Sequence, residues 1–195
     1  PEIRRVETIG PKVGDELKED ALLAVLIALA LVLIYISIRF QWRFGISAVV
    51  CLLHDVLAVV GVFSLFDKEF NLTIIAALLT VVGYSLNDTI VVFDRVRENL
   101  AKFRKRETEE LLDLSINETL SRTLLTSATT LFVVTMLLLF GGEIIHDFAF
   151  ALFVGILVGT YSSIYVASPI FLLLQEKAPP KPATPSTTEL TQESQ

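Results

Sequence analysis

Five runs of apolar residues punctuate this chain, each close to the length a membrane span requires. A spanning helix needs about 20 mostly apolar residues, because the hydrocarbon core is about 30 Å thick and a helix rises about 1.5 Å per residue. The runs extend from about Ala21 to Ile38, Phe44 to Phe66, Leu72 to Phe93, Leu124 to Phe140 and Phe148 to Leu174. Backbone polar groups in lipid must be satisfied within the segment, so helices are expected. The predicted fold is an all-α, polytopic bundle of five transmembrane helices. Residues 1–20 are polar and do not read as a signal peptide. Within 107–121, Leu112, Ile116 and Leu120 recur at i, i+4 and i+8. That spacing predicts a short amphipathic helix on the inner membrane surface. A solvated helical linker is the alternative. Residues 175–195 are rich in Pro, Thr and Ser and are predicted to be a disordered cytoplasmic tail.

Composition reinforces the pattern. The chain is 53% hydrophobic and 19% charged, with a mean hydropathy of +0.64. Soluble domains carry roughly 25% charged residues, so the depletion argues against a soluble protein. The net charge of −6 says little about partners, because the charges are segregated into loops. The single cysteine, Cys51, lies in an apolar run and reads as a small buried hydrophobe. The sequence carries no phosphate-binding glycine loop, nucleophile motif or metal-ligand cluster. An enzyme or ATPase is therefore disfavoured, and no cofactor, metal or nucleic-acid partner is expected.

Charge placement sets the orientation. Arg39 and Arg43 flank the first turn. Arg95, Arg97, Lys102, Arg104, Lys105, Arg106 and Arg122 lie between the third and fourth runs, and Lys177 and Lys181 follow the fifth. These eleven oppose five on the other side: Arg4, Arg5, Lys12, Lys18 and Lys68. The positive-inside rule makes the first group cytoplasmic. The N-terminus is then expected outside and the C-terminus in the cytoplasm.

Ionisable groups within spans cost about 2.5–3.5 kcal/mol each on insertion scales, so each is a functional candidate. His54-Asp55 falls near the middle of the second run, and Asp88 near the inner end of the third. Tyr84 and Ser85 precede Asp88 by four and three residues and share its helix face. Desolvation there disfavours a charged carboxylate, which makes Asp88 a candidate for reversible protonation. Arg122, at the entry to the fourth run, is a candidate to hold it ionised. A hydrogen-bonding role between helices is the equal alternative. His54 and Asp55 point about 100° apart, so they are not expected to meet face to face. A relay and a structural role are both open for them. A metal site is disfavoured, since Cys51 one turn earlier completes no ligand set. His146 reads as a solvated loop residue. The hydroxyl-rich segment from Arg122 to Thr130 suggests close packing or a polar cavity wall, and Gly155 and Gly159 suggest close helix approach.

Val82-Gly83-Tyr84-Ser85-Leu86-Asn87-Asp88-Thr89-Ile90-Val91-Val92-Phe93-Asp94-Arg95 resembles the signature of the SecF family of protein-export subunits. So do Arg39-Phe40-Gln41-Trp42-Arg43-Phe44, His54-Asp55-Val56, Arg122-Thr123-Leu124-Leu125-Thr126-Ser127 and Gly159-Thr160-Tyr161-Ser162-Ser163. Val6-Glu7-Thr8-Ile9-Gly10-Pro11 resembles the end of that family's outer domain.

The resemblance implies a multi-pass protein of the bacterial inner membrane, in the resistance-nodulation-division superfamily. It implies a complex with SecD beside the SecYEG channel, with YajC and YidC as further partners. Protons would be the coupling ion for preprotein translocation. Asp88 and Arg122 match positions implicated in proton conduction, acting with a membrane aspartate on SecD. The residues themselves, rather than the resemblance, make His54, Asp55, Tyr84, Ser85 and Asn87 candidate relay or cavity-lining positions. A complete family member has six spans and an outer domain that engages the preprotein, so this chain is expected to be its C-terminal membrane part. A structural scaffold without a proton role is one alternative. A related proton-driven superfamily exporter is another.

Overall fold

A computed structural model describes residues 11–39, 42–68, 70–103 and 106–176 of the chain. The expected outer-domain end at residues 1–10 and the tail from 177 lie outside these. The described residues form six helices and no strand: α1 (Pro11–Arg39), α2 (Trp42–Leu65), α3 (Leu72–Lys102), α4 (Thr108–Phe140), α5 (Glu143–Tyr165) and α6 (Ala167–Glu176). Helices α2, α3, α4 and the combined α5–α6 stretch are long and apolar enough to cross a membrane. The apolar part of α1, Leu23–Ile38, is shorter.

Two boundaries differ from the sequence expectation. The amphipathic segment is not a separate surface helix but the first third of α4, a helix of 33 residues and about 50 Å. Its buried face is Leu111, Ser115 and Thr119, with Leu112 also buried. Ile116 and Leu120 are only half-buried, so the face is turned by one residue. Hydrogen bonds to the inner end of α3 explain the turn. Asn99 Nδ2 donates to Ser115 Oγ and to Glu118 Oε2, each at 2.9 Å, and Arg95 Nε donates to Glu118 at 2.6 Å. The second difference is a break at Val166 between α5 and α6. Pro169 has no N–H for the Tyr165 carbonyl four residues earlier, and its ring crowds that carbonyl.

Two apolar clusters fill the bundle. One contains Leu52, Val59 and Phe63 of α2, Ile74, Leu78 and Val81 of α3, Val134 of α4 and Leu152 and Ile156 of α5. The other contains Ile36, Phe44, Cys51, Val92, Phe93, Val96, Leu112 and Phe171. On α3 the clusters are separated by Ser85, Asp88 and Thr89, all buried. Buried Thr119, Thr123 and Ser127 make the equivalent break on α4. Lys68 Nζ joins Asp147 Oδ1 at 2.5 Å, tying the α2–α3 turn to the start of α5. His146 lies in that first turn of α5, exposed, rather than in a loop.

Candidate functional site: a buried polar seam

The seam exists because α3 and α5 approach closely. A Cβ on Gly155 would fall 2.2 Å from Val81 Cγ2, and one on Gly159 would fall 3.0 Å from Ser85 Cβ. The glycine stripe therefore lets α5 lie on the Val81–Ser85 edge of α3. This presses the polar stretch of α3 against α2, α4 and α5 with little solvent access.

Asp88 is 2% exposed. Its Oδ2 accepts a hydrogen bond from Ser127 Oγ of α4 at 3.3 Å. Thr160 Oγ1 of α5 lies 2.7 Å from Ser127 Oγ and also 2.7 Å from the Ile156 carbonyl oxygen. One hydroxyl hydrogen can serve only one of these acceptors at a time. When it serves Ser127, a hydrogen-bonded line runs Thr160–Ser127–Asp88. Arg122 is exposed, and no ion pair joins it to Asp88. The expected direct partner is thus replaced by a hydroxyl. Arg122 lies on α4 five residues before Ser127.

Asp55 is fully buried. Ser85 Oγ donates to its Oδ2 at 2.5 Å, and His54 Nδ1 lies 3.1 Å from its Oδ1. The adjacent pair therefore does meet, contrary to the 100° argument. The imidazole reaches back along the helix surface and spans the arc between the two Cα–Cβ directions. The His54 side chain is 44% exposed, while that of Asp55 is wholly enclosed. Deeper in the seam, Cys51 Sγ donates to Ser162 Oγ at 3.3 Å, which fits its reading as a buried small side chain.

Of the other residues singled out, Tyr84 is half-buried and donates from its hydroxyl to Thr130 Oγ1 at 3.2 Å. Ser85 is central to the seam. Asn87 is not: it is exposed, about 100° around α3 from Asp88. Ser127 and Thr160 were not separable from neighbouring hydroxyls by sequence. Thr126 and Thr129 flank Ser127 yet are exposed and bonded to carbonyls of their own helix. The hydroxyls of Thr89 and Thr123 are buried without a hydrogen-bond partner. Among the described residues, no group of three or more His, Cys, Asp or Glu could hold a metal ion.

The fold and seam define a polytopic helical membrane protein with two buried carboxylates set between its helices. The chain belongs to the SecD/SecF family: residues 1–177 match the family described as protein export membrane protein SecD/SecF, C-terminal. It is 60% identical over 173 residues to the protein translocase subunit SecF of Vibrio alginolyticus, covering 89% of this chain and 55% of that protein. It is 58% identical over 176 residues to the SecF of Thermodesulfovibrio yellowstonii, covering 89% of this chain and 58% of that one. The chain thus spans a little over half the length of these relatives. The crystal structure of SecDF from Thermus thermophilus, described as a translocon-associated membrane protein, superposes with a TM-score of 0.83 at 50% identity. That match covers 87% of this chain and 24% of the other.

Proposed function

We propose that this chain is the membrane engine of a protein translocase subunit that works with SecD beside the SecYEG channel. It uses the proton gradient to assist preprotein translocation across the bacterial inner membrane. The observation that carries the reading is Asp88: a carboxylate removed from solvent and held by one long hydrogen bond from α4, the helix that also carries Arg122. A buried group held this weakly is one whose partners can be exchanged at modest cost when it gains or loses a proton. Partnership with SecD is supported by the Thermus thermophilus protein translocase subunit SecDF, 54% identical over 162 residues, which by its name joins both parts. The orientation follows from the basic residues around the α1–α2 and α3–α4 connections, with the N-terminus outside. The coupling needs no nucleotide and no cofactor beyond protons.

In this reading, protonation of Asp88 removes the negative charge that Arg122 senses. The Ser127 and Thr160 hydroxyls then redirect, and α3, α4 and α5, which they join, change their mutual packing. The movement passes to the outer domain that engages the preprotein. The test is Asp88→Asn in the complete complex, with proton flux and late-stage export measured separately. Loss of flux in an assembled complex is expected. Normal flux would overturn the proton role.

A scaffold role is the second reading. The bonds from Ser127 to Asp88 and between Thr160 and Ser127 tie three helices together, which packing alone could require. Failure of the Asp88→Asn complex to assemble would favour it.

A further inference from the structure

A second carboxylate lies apart from the Asp88 site. Asp55 has no exposure, yet its two oxygens are both engaged, Oδ2 by Ser85 and Oδ1 by His54. The groups facing it can be named element by element. On α2 they are His54 and, one turn earlier on the same helix, the thiol of Cys51. On α3 there is Ser85, with Asp88 one turn further along the same helix. On α5 there are Gly159, against Ser85, and Ser162, against Cys51. Among the described residues no lysine or arginine forms an ion pair with Asp55. Among the described residues, His54 is the base that contacts it.

A lone carboxylate so enclosed carries a heavy desolvation penalty. A pair of carboxylate and imidazole escapes most of it when the two share one added proton, because the unit is then neutral overall. His54 uses Nδ1 toward Asp55, its ring is partly open, and Nε2 is its remaining nitrogen.

We propose that His54 and Asp55 form a second proton-binding site, distinct from Asp88 and set one helical turn from it across Ser85. The proton arrives at Nε2 of His54. The Nδ1–H bond breaks as a new O–H bond forms on Asp55 Oδ1, and the imidazole is left as the neutral Nε2–H tautomer. One proton enters and one carboxyl is formed, so charge and atoms balance. Ser85 continues to donate to Oδ2 and positions the carboxyl throughout. This rests on the proton-coupled reading above, to which it adds a second proton and a route to it.

The test is infrared difference spectroscopy of the complete complex during acidification, following the C=O stretch of protonated carboxyl groups. In an Asp88→Asn complex, a titrating carboxyl band should remain. It should vanish in Asp55→Asn/Asp88→Asn and move in frequency in Asp55→Glu/Asp88→Asn, which retains a carboxyl if the asparagine variant fails to assemble. Ser85→Ala should shift the band by removing one hydrogen bond, and His54→Gln should change its pH midpoint. A spectrum of the Asp88→Asn complex that neither Asp55 substitution alters would overturn the proposal. Normal proton flux in Asp88→Asn, with the Asp55 band present, would instead overturn the role given to Asp88 and leave this site standing.

Discussion

Asp55 and Asp88 are both buried carboxylates in one seam, yet the helices hold them differently. Asp55 has a hydrogen bond on each oxygen, one of them short. Asp88 has one bond, at 3.3 Å, from a serine that is itself shared with Thr160. The cause is the helix that faces each. Asp55 looks across to Ser85 at the point where Gly159 lets α5 press on α3, so its donor is fixed by packing. Asp88 looks toward α4, whose apolar residues Leu124, Leu125, Phe132 and Val133 are exposed, and its donor there is not fixed by a close glycine contact. One site is clamped and the other is loosely tethered. A group that must change its partners during a cycle belongs at the looser place, because fewer bonds are lost when it moves.

Removing the clamp should have the largest effect on stability. Ser85→Ala deletes the short bond to Asp55 and leaves one carboxylate oxygen without its donor. Hydrogen bonds to charged groups contribute about 1.5–3 kcal/mol, so a loss of that order is expected in thermal unfolding of the purified complex in detergent. Gly155→Ala comes next. Its methyl would meet Val81 well inside contact distance, and overpacking costs about 1–3 kcal/mol. The better helix propensity of alanine returns up to about 1 kcal/mol, so a net loss of roughly 1–2 kcal/mol is expected. If Gly155→Ala is instead neutral, α5 is free to slide on α3 and the clamp at Ser85 is not enforced by packing.

The spans and the two acidic positions were legible in the sequence because both rest on composition at a given depth. An aspartate amid apolar residues is conspicuous whatever its neighbours do. What it touches is not. Asp88 was expected to answer to Arg122, but the inward-facing residue of that hydroxyl run is Ser127. Nothing in the order Thr126-Ser127-Ala128-Thr129 reveals which hydroxyl turns inward, since Ser and Thr in helices satisfy themselves on their own carbonyls and three of their neighbours do so here. The contact between His54 and Asp55 was missed for a related reason: helix periodicity describes Cα–Cβ directions, whereas a ring nitrogen lies several bonds beyond. The fusion of the amphipathic segment with α4 was hidden because the bonds that set its rotation come from Asn99 and Arg95 on another helix. In each case composition located the group, and tertiary partners decided its geometry.

The sharpest use of the comparison is the substitution with the smallest expected cost. Ser127→Ala removes the one donor to Asp88. Hydrogen bonds to charged groups contribute about 1.5–3 kcal/mol, and at 3.3 Å this one is long, which puts it at the low end of that range. Its removal should therefore destabilise the complex less than Ser85→Ala does. The order should reverse for proton flux: Ser127→Ala strips the loosely held site of its only protein donor and should lower flux more than Ser85→Ala. Ser127→Thr, which keeps a hydroxyl at the same position, should restore flux without a gain in stability. Parallel losses of stability and flux in both alanine variants would mean that the two carboxylates are held for the same structural purpose. A greater loss of stability from Ser127→Ala than from Ser85→Ala would place the clamp at Asp88, and the assignment of clamped and tethered sites would have to be exchanged.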